Sequence, residues 1–284
     1  MLRIKAMRTA DIPYAIRLSN QEKWGITRAD FTRILHMDSK GSFVASLGGW
    51  RVGLATTTSY GYRLGWIGNV IVDQGFRGRH IGQRLVQSAV EYLQRKRIAH
   101  IALYCFNNNV RFYRKLGFKE DAPFVRLQRK PTPFLNATRS TPPSTAVSLS
   151  DLLRADKKAF GADRSRLIRT VLRTKAGWYE GISNGPSATS YLLVKRYKEM
   201  YEFGPWVCIN SPKDLPKELL HLAMTKTTGK PIELSCLRSH HSSLRLLKDA
   251  GFKVTNHGHR MYLTQSVKIG NDDASYALGF LDKG

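Results

Sequence analysis

The sequence predicts a two-domain mixed α/β protein, and three observations predict it. A strand, a glycine-bearing basic loop and an amphipathic helix follow one another over residues 66–97. A second buried strand, Ile101-Ala-Leu-Tyr-Cys105, follows at crossover distance, so it should lie parallel to the first. The pattern of that strand and of the helix after it then returns 131 to 134 residues later. At 284 residues the chain is long for one domain, and two of ordinary size are expected.

The elements read in order as follows. Ile4 to Met7 is a short strand, and Thr9-Ala-Asp11 before Ile12-Pro13 starts a helix, with proline where its missing N–H costs nothing. Glu22-Lys-Trp24-Gly breaks that helix, and Thr27 caps a second one through Phe31, Ile34 and Leu35. Phe43–Leu47, the turn at Gly48-Gly49, Arg51–Tyr60 and the turn at 61–65 make an antiparallel meander into the central strand. That strand is the β-branched run Ile67, Val70, Ile71 and Val72, closed by Asp73-Gln-Gly75. From Ile81 the apolar residues fall at Leu85, Val86, Ala89, Val90 and Leu93, the spacing of one buried helix face. After Ile101–Cys105 comes Asn107–Leu116 with Gly117 as a helix cap, and Phe118–Glu120 with Phe124–Gln128 read as a hairpin closing the first half.

Residues 129–150 carry Pro131, Pro133, Pro142 and Pro143 among Ser and Thr, which is linker composition. The boundary is expected near residue 140, giving domains 1–140 and 141–284. In the second, Ile232-Glu-Leu-Ser-Cys236 matches Ile101-Ala-Leu-Tyr-Cys105, and Arg245-Leu-Leu-Lys-Asp-Ala-Gly-Phe-Lys253 matches Arg111-Phe-Tyr-Arg-Lys-Leu-Gly-Phe-Lys119. Glu202–Cys208 takes the place of the central strand. The residues after it, 209–216, hold two prolines and no glycine, so no amide cradle is expected there. Leu247 stands where the first half has Tyr113.

The loop carries the chemistry. A glycine-bearing turn that opens a helix aims unpaired N–H groups at one spot, at the positive end of the helix dipole, and suits a phosphate. Arg77 and Arg79 strengthen that reading. Arg77-Gly-Arg-His80-Ile-Gly82 resembles the acetyl-CoA loop of the GNAT acetyltransferase superfamily, whose pattern is Arg or Gln, two residues, Gly, one residue, then Gly or Ala, directly after a central strand. His80 stands where glycine is usual, a departure that is tolerable if residue 80 keeps a helical φ. Phe112-Tyr113 and Leu116-Gly-Phe118 resemble the helix and glycine cap that follow in that family. The second half, with Phe160–Leu167 and Tyr276–Gly279, resembles the degenerate half of tandem GNAT proteins.

The resemblance implies two GNAT-like folds in tandem and one acetyl-CoA site, in the first half. It implies transfer of an acetyl group to an amine by direct attack in a ternary complex. The backbone of Val70, Ile71 and Val72 would hold the pantetheine arm and polarise the carbonyl. Residues Arg77, Gly78, Arg79, His80, Ile81, Gly82 and Gln83 would hold the pyrophosphate. Tyr113 would be the acid for the departing thiolate, with packing beside Phe112 as its structural alternative. Asn107 and Asn108 lie near the family's cofactor-binding asparagine, although the seven-residue spacing falls on Phe106, and they read equally as a helix N-cap cluster. For the base, Asp73 at the strand end and Glu22 in the helix break are the candidates, beside base transfer through ordered water. Trp24 could enclose the acceptor.

Charge bounds the partners. Residues 1–142 hold 24 Lys and Arg against 8 Asp and Glu, and the chain carries a net charge of +25. Such a surface steers polyanions and supports the alternative of a non-catalytic nucleic-acid-binding protein on a GNAT scaffold, with acetyl-CoA regulatory or absent. The basic residues are dispersed, which favours the enzyme. A basic half repels polycations unless a local acidic patch offsets it, so a small amine-bearing metabolite or an anionic acceptor is expected. No apolar run approaches the roughly 18 residues of a membrane span, and residues 1–8 enter a strand rather than a leader, so a cytoplasmic protein with no membrane partner is expected. Cys105, Cys208 and Cys236 form no Cys-x-x-Cys pair and read as core residues. His240-His241 and His257-x-His259 lack ligand-spaced carboxylates or cysteines, so no metal is expected.

Overall fold

The computed structural model describes residues 1–131, 147–174, 176–183, 188–265 and 267–284. The boundary expected near residue 140 lies outside the described residues. In chain order the elements of the first half are β1 (Leu2–Ala6), α1 (Ile12–Gln21), α2 (Arg28–Met37), β2 (Ser42–Leu47), β3 (Trp50–Tyr60), β4 (Leu64–Val72), α3 (Ile81–Arg95), β5 (His100–Phe106), α4 (Asn107–Arg114) and β6 (Phe118–Arg129). The second half adds α5 (Leu149–Phe160), α6 (Ser165–Leu172), β7 (Gly177–Ser183), β8 (Thr189–Arg196), β9 (Tyr201–Cys208), α7 (Leu215–Thr225), β10 (Ile232–Leu237), α8 (His241–Asp249), β11 (Lys253–Leu263) and β12 (Ser275–Ala277). The mixed α/β class and the two similar regions in tandem are as the sequence predicts.

Local rules explain the helices. Thr27 caps α2, its side chain accepting from the Asp30 amide at 3.3 Å while Asp30 returns a bond to the Thr27 amide at 3.0 Å, a reciprocal capping box. Along α3 the apolar spacing buries Ile81, Leu85, Val86, Ala89 and Leu93. These pack with Val52, Ile67, Ile101 and Leu103 in a core on one face of the sheet. Helices α1 and α2 cover the other face through Ile12, Leu18, Phe31 and Ile34, against Leu54 and Ile71.

One sheet runs through both halves, in the order β1-β2-β3-β4-β5-β11-β6-β10-β9-β8-β7, with β12 pairing β9. This departs from the expected hairpin at 118–128. Those residues form the single strand β6, which pairs antiparallel with β10 and β11, while β11 pairs antiparallel with β5. The halves therefore exchange β6 and β11. The pattern Phe124-Val-Arg-Leu-Gln128 alternates correctly for a strand, but nothing local says which partner a strand edge will take.

The two halves differ where β4 and β9 meet their parallel neighbours. Strands β4 and β5 pair only at Leu64–Trp66 against His100–Ala102, so they part beyond Trp66 and leave a cleft. In the second half, β9 pairs with β10 only at Tyr201 and Glu202, and the corresponding gap is filled by the chain itself. Ser275 and Ala277 pair with Val207 and Trp206, and the Leu278 amide donates to the Ser235 carbonyl at 2.7 Å. Past this plug the chain crosses to the first half. Trp66 Nε1 donates to the Leu281 carbonyl at 3.2 Å, Asn69 Nδ2 to Asp282 Oδ2 at 3.0 Å, and the Tyr60 hydroxyl to the Lys283 carbonyl. Among the described residues, no helix is long and apolar enough to cross a membrane.

Candidate functional site

The cleft between β4 and β5 has a volume of about 770 Å³ and draws its walls from both halves. Its first wall is β4. Between Leu54 and Thr56 the β3–β4 register shifts, and Asn69 takes a left-handed φ of +50°, so a bulge turns the strand outward. Asn69 is held by its donated bonds to Thr56 Oγ1 at 3.0 Å and to Asp282. Val70, Ile71 and Val72 follow along the cleft, on the edge that β5 has left. A strand edge without a neighbour offers backbone N–H and C=O groups to a ligand.

The second wall is the loop into α3. Arg77, Gly78, His80, Ile81, Gly82 and Gln83 line the cleft. Gly78 has φ +78°, and a Cβ there would meet nothing within 4 Å, so the loop faces open space. His80 is the N-cap of α3 with φ +58°. The helical φ under which histidine would be tolerable is not adopted; the residue takes the left-handed conformation that explains why glycine is usual there. Histidine is among the side chains that enter this region most readily. The helix-opening amides remain in place behind it. Arg77 folds back, its Nε donating to the Val72 carbonyl at 3.1 Å and its guanidinium pairing with Glu22. Arg79 lies over the Phe76 ring at 5.5 Å.

The third wall is α4. Asn107 and Asn108 are its first residues and Phe106 is the N-cap, so neither asparagine caps the helix. Phe106, Asn108 and Asn109 line the cleft. Tyr113 lies on the same wall, 8% exposed, in edge contact with Phe112 and Phe118 at 4.9 and 5.9 Å. Burial, with a contribution from Cys105, raises its hydroxyl well above the ordinary tyrosine value, so it stays protonated at neutral pH. Burial also pushes the Cys105 thiol up to about 12, which leaves little thiolate for nucleophilic chemistry.

Glu22 and Trp24 lie at the cleft wall. Asp73 sits beside it, accepting from the Gly75 amide at 3.3 Å and lying 3.9 Å from Arg17. The histidines are engaged in structure: His240 caps α8 by accepting from the Ser243 amide at 3.2 Å, and His259 lies 3.4 Å from Glu120.

The far wall comes from the second half and carries no motif. Tyr197, Met200 and Glu202 from β9 and the turn before it join Leu281, Asp282 and Lys283 there. Four carboxylates thus face the cleft: Glu22, Asp30, Glu202 and Asp282. Arg77, Lys115, Arg126 and Lys283 line the same cleft, so these carboxylates offset local positive charge rather than form a net acidic patch. Sequence reasoning missed these residues because they reach the cleft through strand exchange and a distant crossing segment. Only Asn69, a polar residue inside a β-branched run, left a trace.

The arrangement can hold a phosphorylated arm along a strand edge, place a neutral hydroxyl beside it, and receive a second molecule between the halves. Comparison with known proteins identifies the family. A model described as the Acetyltransferase (GNAT) family matches residues 8–118, and one described as an Acetyltransferase (GNAT) domain matches residues 152–276. A histone acetyltransferase from Glycine max is 34% identical over 75 residues, 26% of this chain and 32% of that protein. An uncharacterized N-acetyltransferase from Methanocaldococcus jannaschii is 30% identical over 114 residues, 35% of this chain and 47% of that protein. The chain thus spans a third to a half of the length of these curated relatives. A putative acetyltransferase from Pyrococcus horikoshii superposes over 100% of this chain and 96% of its own, with a TM-score of 0.81 at 20% identity. A GCN5-related N-acetyltransferase from Sphaerobacter thermophilus covers 94% and 97%, with a TM-score of 0.66 at 16% identity. At these identities the superpositions show the fold.

Proposed function

Because the chain belongs to the GNAT acetyltransferase family, with two of its domains in tandem, we propose that its first half transfers an acetyl group from acetyl-CoA to the primary amine of a small acceptor. One observation carries this reading: the open β4 edge at Val70–Val72, the amides opening α3 and the Tyr113 hydroxyl line a single cleft. A thioester supplies the activated acetyl group. The loop from Arg77 to Gln83 would bind the pyrophosphate through its N–H groups and the helix dipole. Val70, Ile71 and Val72 would align the pantetheine arm and offer an N–H to the carbonyl as charge develops on it. Tyr113 would give its proton to the departing sulfur, and the raised pKa of its hydroxyl keeps that proton available. The thiol of Cys105, pushed up by burial, favours direct attack over an acyl-enzyme.

Asn108 and Gln83, which line the cleft, would contribute polar contacts to the cofactor, and Trp24 with Glu22 would bound the acceptor; Asn107 lies outside the lining. The second half would have no site of its own, because its corresponding gap is filled by residues 275–278. The unit of function would then be residues 1–140 with 141–284 as a wall, not two independent enzymes. Incubation with acetyl-CoA and a panel of primary amines tests the reading. Amine-dependent release of free thiol, with acetylated product, supports it, and hydrolysis alone would count against it. The competing reading, a nucleic-acid binder on this scaffold, rests on the net charge of +25. It requires a sequence or structure preference that survives moderate salt.

A further inference from the structure

We infer that Glu202, a residue of the second half, receives the primary ammonium of the acceptor and takes a proton from it. The inference deepens the acetyltransferase reading and rests on it.

The carboxylates on the acceptor side are not equivalent. Glu22 is paired with Arg77, Asp30 with Lys195 and Arg33, and Asp282 with Lys283. Glu202 alone of the four has no cation within ion-pair distance among the described residues. Its hydrogen-bond partner is neutral: the Tyr197 hydroxyl donates to Glu202 Oε2 at 3.0 Å. That hydroxyl in turn accepts from Lys195 Nζ at 2.5 Å, and Lys195 donates to Asp30. Asp30 is fixed by the Thr27 hydroxyl at 2.6 Å and Arg33 Nη1 at 2.8 Å. A row of bonds anchored in the first half thus ends on one carboxylate of the second, at the wall of the shared cleft. A carboxylate in a low-dielectric cleft without a counter-ion is costly, and an entering ammonium removes that cost.

The groups facing Glu202 are Lys195 and Tyr197 from β8 and the turn after it, Arg126 from β6 and Asp282 from the crossing segment, with Glu233 beside it on β10. Arg126 is itself paired with Glu233. Burial outweighs the attraction of Lys195 and Arg126 and raises the Glu202 carboxyl above its ordinary range, which brings it nearer the operating pH of a base. In the step proposed, one ammonium proton passes to Glu202 and the nitrogen lone pair forms the C–N bond to the acetyl carbon. The C–S bond breaks, its electron pair leaves on sulfur, and sulfur is protonated by Tyr113, which regains a proton from the acylated nitrogen.

The test follows Glu202 directly. Full-length protein with 13C-labelled glutamate side chains, wild type and Glu202→Gln to assign the signal, is titrated with acid and then with n-butylammonium, with acetyl-CoA present and absent. The expected result is a Glu202 carboxyl that titrates above the exposed glutamates and shifts on adding the amine. Apparent amine affinity should fall at least tenfold in Glu202→Gln and stay unchanged in the exposed control Glu199→Gln. Acetyl-CoA affinity should be equal in all three. A Glu202 signal that titrates with the exposed glutamates, or ignores the amine while acetyl-CoA still binds, overturns this inference and leaves the acetyltransferase reading standing. Failure of wild type to bind acetyl-CoA overturns both.

Discussion

Lys195, on a strand of the second half, donates from Nζ to the carboxylate of Asp30, on a helix of the first, and both side chains are almost wholly buried, at 6% and 2% exposed. Although burial works to raise it, the Lys195 ammonium and the hydrogen bonds around it hold the Asp30 carboxyl below the usual carboxylate range. The pair ties the halves together at the wall of the cleft.

Asp30→Asn leaves the buried Lys195 and Arg33 without their carboxylate and should cost about 3–5 kcal/mol, whereas Lys195→Met leaves Asp30 its Arg33 partner at 2.8 Å and should cost less. The double variant should cost much less than the sum of the two. Urea unfolding at pH 7 measures all three. Since the folded-state pKa of Asp30 is depressed, its contribution is complete above the unfolded value near 3.8 and is lost progressively as pH falls from there through the lower folded-state value. The stability difference between wild type and Asp30→Asn should therefore shrink below about pH 4.

His80 holds a left-handed backbone at φ +58°. Replacing it with glycine should stabilise the protein by about 0.5–1 kcal/mol, the relief of left-handed strain less the entropy glycine adds to the unfolded chain. Acetyl-CoA affinity should hold within about twofold, because backbone amides rather than the imidazole are assigned to the phosphates. Thermal unfolding and calorimetry check the two halves of this statement separately.

A Cβ at Gly68 would stand 2.0 Å from the Asp282 carbonyl, so the crossing segment lies flush on the β4 bulge only because residue 68 has no side chain. Gly68→Ala should cost at least about 1–3 kcal/mol and loosen residues 281–284. Faster amide exchange at Asp282 and Lys283 than in wild type would register it. Unchanged exchange would mean that the segment does not depend on that contact.

Tyr113→Phe keeps the ring packed against Phe112 and Phe118 and removes only the proton. Turnover should fall about 10²–10⁴-fold, with acetyl-CoA affinity preserved. Because burial raises the Tyr113 hydroxyl above its ordinary value, the wild-type rate should show no loss attributable to this group up to about pH 10. A pH–rate profile in both proteins reads this.

What could be read from the sequence was whatever is local. The strand at Val70–Val72, the loop at Arg77–Gly82, the period of α3 and the repeat of Ile-x-Leu-x-Cys each follow from neighbouring residues, and the structure has them where the pattern puts them. The exchange of β6 and β11 was hidden, because alternation along Phe124–Gln128 identifies a strand without naming its neighbour. The conformation of His80 was hidden as well, since φ is not written in residue type outside glycine and proline. Most of the far wall of the cleft was invisible: Glu202 and Asp282 lie 133 and 213 residues from Asn69 and meet the cleft only through the crossing of the halves. Charge was misleading for the same reason. A basic half told of the outer surface, while four carboxylates meet four Lys and Arg side chains at the cleft.

The central claim is one acetyl-CoA site, in the first half, on the loop that opens α3. Calorimetric titration with acetyl-CoA, for wild type and Gly78→Asp, tests it most directly, with circular dichroism to confirm that the variant is folded. A Cβ at Gly78 meets no protein atom within 4 Å, but its φ of +78° strains any side chain placed there, so Gly78→Ala is the control for backbone strain and the loss beyond it in Gly78→Asp is the effect of charging the phosphate cradle. The account predicts a single site near micromolar affinity, about −8 kcal/mol, that is lost in the folded variant. Two sites per chain, binding untouched by Gly78→Asp, or no binding in wild type would contradict it.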